Sequence, residues 1–210
     1  MSRRAAIATY RAFFGVLALA AVATQFIDVA SRGLLDPLHF FSYFTIESNL
    51  FAAAVLLVLA ARRNEDRSQT LDLVRGAAVA YMTVTGIVFS VLLANTNVDT
   101  AIPWVNDVVH SIMPIVMVAD WLLDPPRRQL TIRQGLAWLA YPFVWLVYTL
   151  VKGPIVGKYP YPFLNPANGG YATVAIYCIA ILVGFTAVCL AAVWVANVSR
   201  DRSAAAIAQP

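Results

Sequence analysis

Six long apolar stretches constrain this chain more than any other feature of its sequence. A helix needs about 20 predominantly apolar residues to cross the hydrocarbon core of a bilayer. Six stretches meet that length, at residues 6–29, 40–61, 71–94, 102–123, 132–151 and 170–198. Short polar or turn-rich joints separate them, without a low-complexity segment or a soluble domain between. The sequence therefore predicts one all-α, polytopic membrane domain of six transmembrane helices that covers residues 1–210.

The composition of the chain agrees with a membrane protein. The chain is 60% hydrophobic and only 12% charged, whereas soluble domains carry about 25% charged residues. A net charge of +4 suggests nucleic acid only in a soluble protein; here the basic residues lie beside apolar stretches, and we expect no nucleic-acid partner. Cys178 and Cys189 lie about 16 Å apart in a helix, too far for a disulfide, and are expected to act as small packing residues.

The basic residues also predict the orientation of the chain. If both termini are cytoplasmic, 12 of the 15 basic residues lie inside and only Arg32, Lys152 and Lys158 lie outside. This is the bias that the positive-inside rule describes. The sequence thus predicts a multi-pass protein of the cell membrane with both termini in the cytoplasm. A cleaved signal peptide ending near residues 21–23 is the alternative, but the apolar run continues beyond that point.

Two of the apolar stretches carry polar clusters in the predicted outer half of the bilayer. The clusters are Thr45, Glu47, Ser48 and Asn49 in the second stretch, and Asn106, Asp107, His110 and Ser111 in the fourth. Helical rise places Thr45 about 7–8 Å and His110 about 12 Å below the outer edge, which is the same depth within the uncertainty of the boundaries. A charge at a helix centre costs roughly 2.5–3.5 kcal/mol, so such groups usually face a cavity or a partner. The clusters therefore predict a functional site.

A hydroxyl and an imidazole from two helices are the minimum requirement for nucleophilic catalysis. In this hypothesis Thr45 is the nucleophile and His110 is its general base. Asp107, three residues before the histidine, is expected to orient the imidazole as the third member of a triad. Asn49, or a backbone amide loosened near Pro114, is the candidate donor to an oxyanion.

Each polar residue also has a structural interpretation. A threonine in a membrane helix often bonds its own backbone or a neighbouring helix, and Ser48 shares the helical face of Thr45. Glu47 is a candidate partner of Arg32 at the outer interface. Asp120 near the inner end is expected to be neutralised by Arg127 and Arg128.

Several segments together resemble a known family. They are FFSYFTIESN at 40–49, the histidine of the fourth stretch, DWLLDP at 120–125, AYP at 140–142 and YPYPF at 159–163. The chain resembles the bacterial branch of the six-helix FAR-17a / androgen-induced membrane protein family over nearly its whole length. The resemblance implies an intramembrane threonine hydrolase that cleaves fatty acid esters of hydroxy fatty acids. It also implies a nucleophilic threonine on the second helix and a histidine base on the fourth, at the positions of Thr45 and His110.

The sequence thus favours a lipid-ester hydrolase that acts on a lipid substrate within the bilayer and uses no cofactor. Three alternatives stay open: a non-catalytic lipid-binding or transport protein, a structural protein held together by its polar faces, and a metal-dependent hydrolase. The last would use Glu47, Asp107 and His110 as ligands. The outer loop 152–169, rich in proline and aromatic residues, is either a rigid interfacial connection or a lid over an outward-facing pocket.

Overall fold

A computed structural model of the chain describes residues 2–62, 67–94 and 102–207, with side chains described through residue 200. The structure is 84% helical, and the described residues contain no β-strand. The predicted joint 95–101, Arg63 and the side chain of Arg202 lie outside the part of the chain that is described. The prediction of an all-α protein is confirmed.

Six of the described helices are long and apolar enough to cross a membrane. They are α1 (Arg3–Ser31), α2 (Phe44–Ala61), α3 (Gln69–Leu93), α4 (Pro103–Leu123), α5 (Ile132–Val156) and α6 (Gly170–Ile207). This confirms the prediction of six helices of membrane-spanning length. The second span begins at Phe44 rather than at position 40, because Pro37–Phe40 forms a separate helical turn. The side chain of Asp36 caps that turn by accepting a hydrogen bond from the His39 amide at 3.1 Å.

The helices differ strongly in how much of their surface the bundle buries. In the most apolar 18-residue segment of each helix, 56% of the residues are buried in α2, α3 and α4. The corresponding shares are 28% in α1, 22% in α6 and 11% in α5. The core therefore lies among α2, α3 and α4. Helices α5 and α6 present mostly apolar, exposed side chains, as lipid-facing helices do.

Three of the spans depart from regular α-helix. Helix α3 ends in a π-helical turn at Phe89–Leu93, and α4 contains another at Val108–Ile112, just before Pro114. Helix α5 is interrupted shortly before Pro142, which cannot donate to the carbonyl four residues earlier. The Tyr81 hydroxyl from α3 donates to that carbonyl, at Trp138, over 3.0 Å. A neighbouring helix thus satisfies the backbone group that the proline leaves free.

A charged cluster joins α1, α3 and α4 at the end of the bundle where α4 ends. Asp120 accepts hydrogen bonds from Arg11 Nε at 2.6 Å and from Arg75 Nε at 2.5 Å. Arg75 is fully buried and Asp120 is 1% exposed. The expectation that Arg127 and Arg128 neutralise Asp120 is wrong, because arginines on adjacent helices reach the carboxylate from inside the bundle.

The cluster extends to the joint between α2 and α3. Asp124 accepts hydrogen bonds from Arg11 at 2.7 Å and from Arg67 at 2.5 Å, and Arg67 also contacts Asp72. Burial alone would raise the pKa of Asp124, but the Arg67 and Arg75 guanidiniums hold that pKa below its ordinary value. We call these three arginines and three aspartates the arginine–aspartate network; its formal charges cancel.

Candidate functional site

An apolar cavity of about 520 Å³ lies between α2, α3, α5, α6 and the 157–169 loop. Ligand sites are typically about 300–1,000 Å³, mostly apolar, with a few polar groups that fix orientation. The described residues that line this cavity include three hydroxyls, those of Thr45, Thr85 and Tyr161, and no charged side chain. The chamber therefore suits an uncharged hydrocarbon chain that carries a polar group at one point.

The wall between α5 and α6 is also part of the outer surface of the bundle. Phe143 on α5 and Ile179 and Leu182 on α6 line the cavity, yet they are 64%, 62% and 53% exposed. The cavity thus opens sideways between two apolar helices, the direction from which a molecule dissolved in hydrocarbon would approach.

Thr45 lies in the first turn of α2, where backbone amides have no partner within the helix. The side chain of Tyr43, the residue just before the helix, forms no capping hydrogen bond. Instead, the Tyr161 hydroxyl accepts a hydrogen bond from the Thr45 amide at 3.1 Å and shares a second one with Thr45 Oγ1 at 3.2 Å. Thr45 is thus a buried residue that lines the cavity, and its hydroxyl contacts a residue of the 157–169 loop.

His110 lies in the π-helical turn of α4, and its ring stacks on Phe89 at the start of the π-helical turn of α3. The two ring centroids are 4.1 Å apart and the ring planes differ by 15°. His110 Nδ1 lies 2.9 Å from Asn106 Oδ1. Because an amide oxygen can only accept, Nδ1 is the donor in this hydrogen bond. Isolated π-helical turns occur often at functional sites, and two of them meet at this histidine.

Asn49 ties the turn of Thr45 to the turn of His110. Its amide nitrogen donates to the carbonyl of Thr45 at 2.9 Å and to the carbonyl of Val109 at 3.1 Å. The Val109 carbonyl has no donor within its own helix. The Met113 amide donates to the Val108 carbonyl in the π-helical turn, and Pro114 has no amide hydrogen. Both amide hydrogens of Asn49 are thus engaged, and its expected role as oxyanion donor is replaced by a structural one.

The direct hydrogen bond expected between Thr45 and His110 is not formed. His110 Nε2 has no hydrogen-bond partner among the described residues, and the histidine does not line the cavity. Phe89 does line it and covers the imidazole by stacking. Thr45 and His110 therefore lie on turns joined by Asn49, with Phe89 between the histidine and the chamber.

The other predicted residues occupy different places. Asp107 is exposed and has no hydrogen bond to His110; Asn106, four positions before the histidine, bonds the imidazole instead. The Ser48 hydroxyl is buried without a partner in the described part of the chain and does not face the cavity.

Glu47 accepts a hydrogen bond from the Tyr141 hydroxyl at 2.7 Å, which links α2 to α5. Its expected pairing with Arg32 is wrong, because Arg32 bonds Asp28 one helical turn earlier on α1. No group of three or more histidine, cysteine, aspartate or glutamate side chains that could hold a metal ion occurs among the described residues. The structure thus offers the metal-dependent alternative no ligand cluster within the described ranges.

The 157–169 loop closes one end of the cavity. It contains two short 3-10 turns, Pro162–Leu164 and Pro166–Asn168. Its Tyr161 ring stacks on Phe163 with centroids 5.2 Å apart, and Lys158 forms an ion pair with Asp36 at 3.1 Å. Its residues Tyr161, Phe163 and Leu164 line the cavity, and the role of the loop as a lid stays a prediction.

Tyr161, Phe89 and Asn106 are the residues whose importance the sequence did not reveal. The proline and aromatic content of the loop singled out its segment but not the tyrosine that reaches Thr45. Asn106 belonged to the predicted cluster without a role, and nothing in the apolar pattern around Phe89 distinguished that phenylalanine from a core residue.

Fold and site together define a class: a six-helix protein of the membrane-spanning type with an apolar side chamber and a buried hydroxyl pair at its wall. No family model matches the chain, and no match was found among the curated proteins or the solved structures. The resemblance to the FAR-17a / androgen-induced family therefore stays a prediction.

Proposed function

We propose that this chain is an intramembrane hydrolase of lipid esters, with Thr45 as nucleophile and His110 as general base. The observation that carries the proposal is the position of Thr45 in the wall of an apolar cavity, on a turn that Asn49 ties to the turn of His110. A buried hydroxyl at the polar point of a hydrocarbon-sized chamber would meet the ester group of a bound acyl chain.

The cavity supports a lipid as the substrate. Its volume of about 520 Å³, its uncharged described lining and its opening between α5 and α6 suit an acyl chain that arrives from the bilayer. We further propose that the chain resides in the cell membrane with both termini cytoplasmic, because this orientation places 12 of its 15 basic residues inside.

The proposed reaction follows the logic of acyl transfer. Thr45 Oγ1 forms a bond to the ester carbonyl carbon while its proton passes to His110 Nε2, and the carbonyl π electrons move to the oxygen. Collapse of this intermediate expels the alcohol, which takes the proton from His110. Water, deprotonated by His110, then releases the acid and restores the threonine.

This reaction requires Nε2 to reach Oγ1 when an ester is bound. Phe89 must turn aside, because its ring now covers the imidazole. Catalytic hydrogen bonds are often long in unliganded enzymes and tighten in the substrate complex. The π-helical turns on both sides of the stack provide the irregular backbone at which such a rearrangement is least costly.

The experiment compares hydrolysis of long-chain esters by purified wild type, Thr45→Ala, His110→Gln and Thr85→Val. Thr45→Ala is expected to abolish turnover, and His110→Gln to lower it about 10²–10⁴-fold, the usual contribution of a general base. Thr85→Val is the matched control, because Thr85 lines the same cavity and its hydroxyl has no hydrogen-bond partner among the described residues. Equal turnover in all four proteins would reject the proposal.

A non-catalytic lipid-binding or transport protein is the second candidate. The observation that favours it is the lack of a hydrogen bond between Thr45 and His110 in the described structure. A photoactivatable fatty-acid ester distinguishes this candidate from a hydrolase in the same samples. If the ester labels the cavity of wild type and of Thr45→Ala equally and neither protein hydrolyses it, the protein binds lipid without catalysis.

A further inference from the structure

The hydroxyl of Tyr161 occupies a special position beside the proposed nucleophile. It lies 3.1 Å from the Thr45 amide nitrogen and 3.2 Å from Thr45 Oγ1. The tyrosine is 8% exposed and lines the cavity. The phenol oxygen of Tyr161 thus lies beside the backbone amide of Thr45, the proposed nucleophile Oγ1 and the cavity.

The direction of these hydrogen bonds follows from the chemistry of the groups. The Thr45 amide can only donate, so the phenol oxygen accepts that bond and its own hydrogen is left for Thr45 Oγ1 or for a ligand. Burial raises the pKa of Tyr161 to about 12, so the phenol keeps its proton at neutral pH. The Thr45 amide and the Tyr161 hydroxyl are therefore two neutral donors directed at neighbouring points of one space.

Resting on the proposed function, we infer that Tyr161 is a further catalytic residue: its hydroxyl and the Thr45 amide together bind the carbonyl oxygen of the ester and stabilise the oxyanion. The arriving oxygen takes over the amide hydrogen that the phenol now accepts, and the phenol donates its own hydrogen to the same oxygen. Donors aimed at the developing charge are usually the largest electrostatic contribution to acyl transfer. The amide of the nucleophile itself is one such donor in serine proteases.

The surrounding loop holds Tyr161 in this position. Prolines on both sides restrict its backbone, and its ring stacks on Phe163 and meets Tyr43 edge-on at 5.7 Å. The side-chain amide of Asn168 donates a hydrogen bond to the backbone carbonyl of Pro162 at 2.9 Å. Such fixed placement is what an oxyanion donor requires, because its dipole must not reorganise during the reaction.

The same loop supplies a matched control. The Tyr159 ring packs so closely on Gly153 that a Cβ at that glycine would lie 2.1 Å from Tyr159 Cε1. Its hydroxyl has no hydrogen-bond partner among the described residues. Tyr159→Phe and Tyr161→Phe therefore remove the same atom from the same loop, and only the second change removes a donor to the site.

The experiment measures kcat and KM for a long-chain ester, and the inhibition constant of a long-chain trifluoromethyl ketone, for wild type, Thr45→Ala, Tyr159→Phe and Tyr161→Phe. The ketone forms a tetrahedral oxyanion with the nucleophile. Tyr161→Phe is expected to lower kcat on the order of 100-fold with little change in KM. It should weaken the ketone by a similar factor, while Tyr159→Phe behaves as wild type.

Each result decides between the two proposals. If Tyr161→Phe matches wild type while Thr45→Ala is inactive, the role of Tyr161 is overturned and the hydrolase stands. If wild type and Thr45→Ala do not differ, the hydrolase fails and the role of Tyr161 fails with it. A KM increase with unchanged kcat contradicts an oxyanion role. Should Tyr161→Phe not fold, 3-fluorotyrosine at position 161 keeps the hydroxyl, and its rate must then stay close to that of wild type.

Discussion

At the scale of single residues, one contact that holds the candidate site together uses a backbone carbonyl that a proline leaves without a helical hydrogen bond. Pro114 leaves the Val109 carbonyl without a helical donor, and Asn49 supplies one from another helix. The polar clusters that contain Thr45 and His110 were recognisable because polar groups in apolar stretches stand out. The bond of the imidazole to Asn106 rather than to Asp107 was not predictable, because the residues three and four positions back both lie on the histidine's side of a helix.

Asn49→Ala should destabilise the protein by about 2–3 kcal/mol, because it leaves the buried Val109 carbonyl without a donor. Thermal unfolding in detergent measures the change as a lower Tm. Ser48→Ala is the control, since this adjacent buried hydroxyl has no partner among the described residues, and its removal should leave Tm unchanged. Equal Tm values for both variants would show that Asn49 does not join the two helices.

At the scale of helices, the spans were predictable and their irregularities only in part. A length of about 20 apolar residues is a strong physical requirement, so all six helices were found. Pro114 and Pro142 indicate where α4 and α5 are disturbed. The π-helical end of α3, however, has no proline to mark it, and its first residue, Phe89, stacks on a histidine from another helix. Tertiary contacts of that kind cannot be derived from one segment.

Phe89→Ala should open the histidine to the cavity. We expect faster modification of His110 by diethylpyrocarbonate, read by mass spectrometry, because the stacked ring that covers the imidazole is gone. Phe143→Ala is the control: this phenylalanine lines the cavity and has no ring contact with His110. His39, which lies 3.3 Å from the Tyr43 hydroxyl, is the internal reference. An unchanged His110 rate in Phe89→Ala would contradict the covering role.

At the scale of the whole molecule, two features at opposite ends organise the bundle. The 157–169 loop closes the cavity above Thr45, and the arginine–aspartate network joins α1, α3 and α4. The abundance of arginine was evident from the sequence and was interpreted as an orientation signal. That Arg11 and Arg75 instead turn inward to Asp120 depends on how three helices face one another, which spacing along the chain does not determine.

Asp120→Asn should destabilise the protein by about 3–5 kcal/mol, because it leaves two buried guanidiniums without their shared carboxylate. Asp28→Asn is the control, since the Asp28–Arg32 pair is partly exposed and such pairs contribute about 0.3–0.5 kcal/mol. Thermal unfolding of both variants in detergent provides the comparison. Similar losses for the two would mean that the network adds no more than a surface pair.

The network also bears on the order in which the chain can be assembled. Arg11 and Arg75 belong to helices that are synthesised before the one carrying Asp120, so the carboxylate that the two guanidiniums share is missing until α4 is made. The contacts that join α1 and α3 to α4 therefore form only after the fourth helix is in place. Biogenesis should accordingly proceed in two stages, with α1 and α3 retained beside the insertion machinery until α4 releases them as a neutral unit.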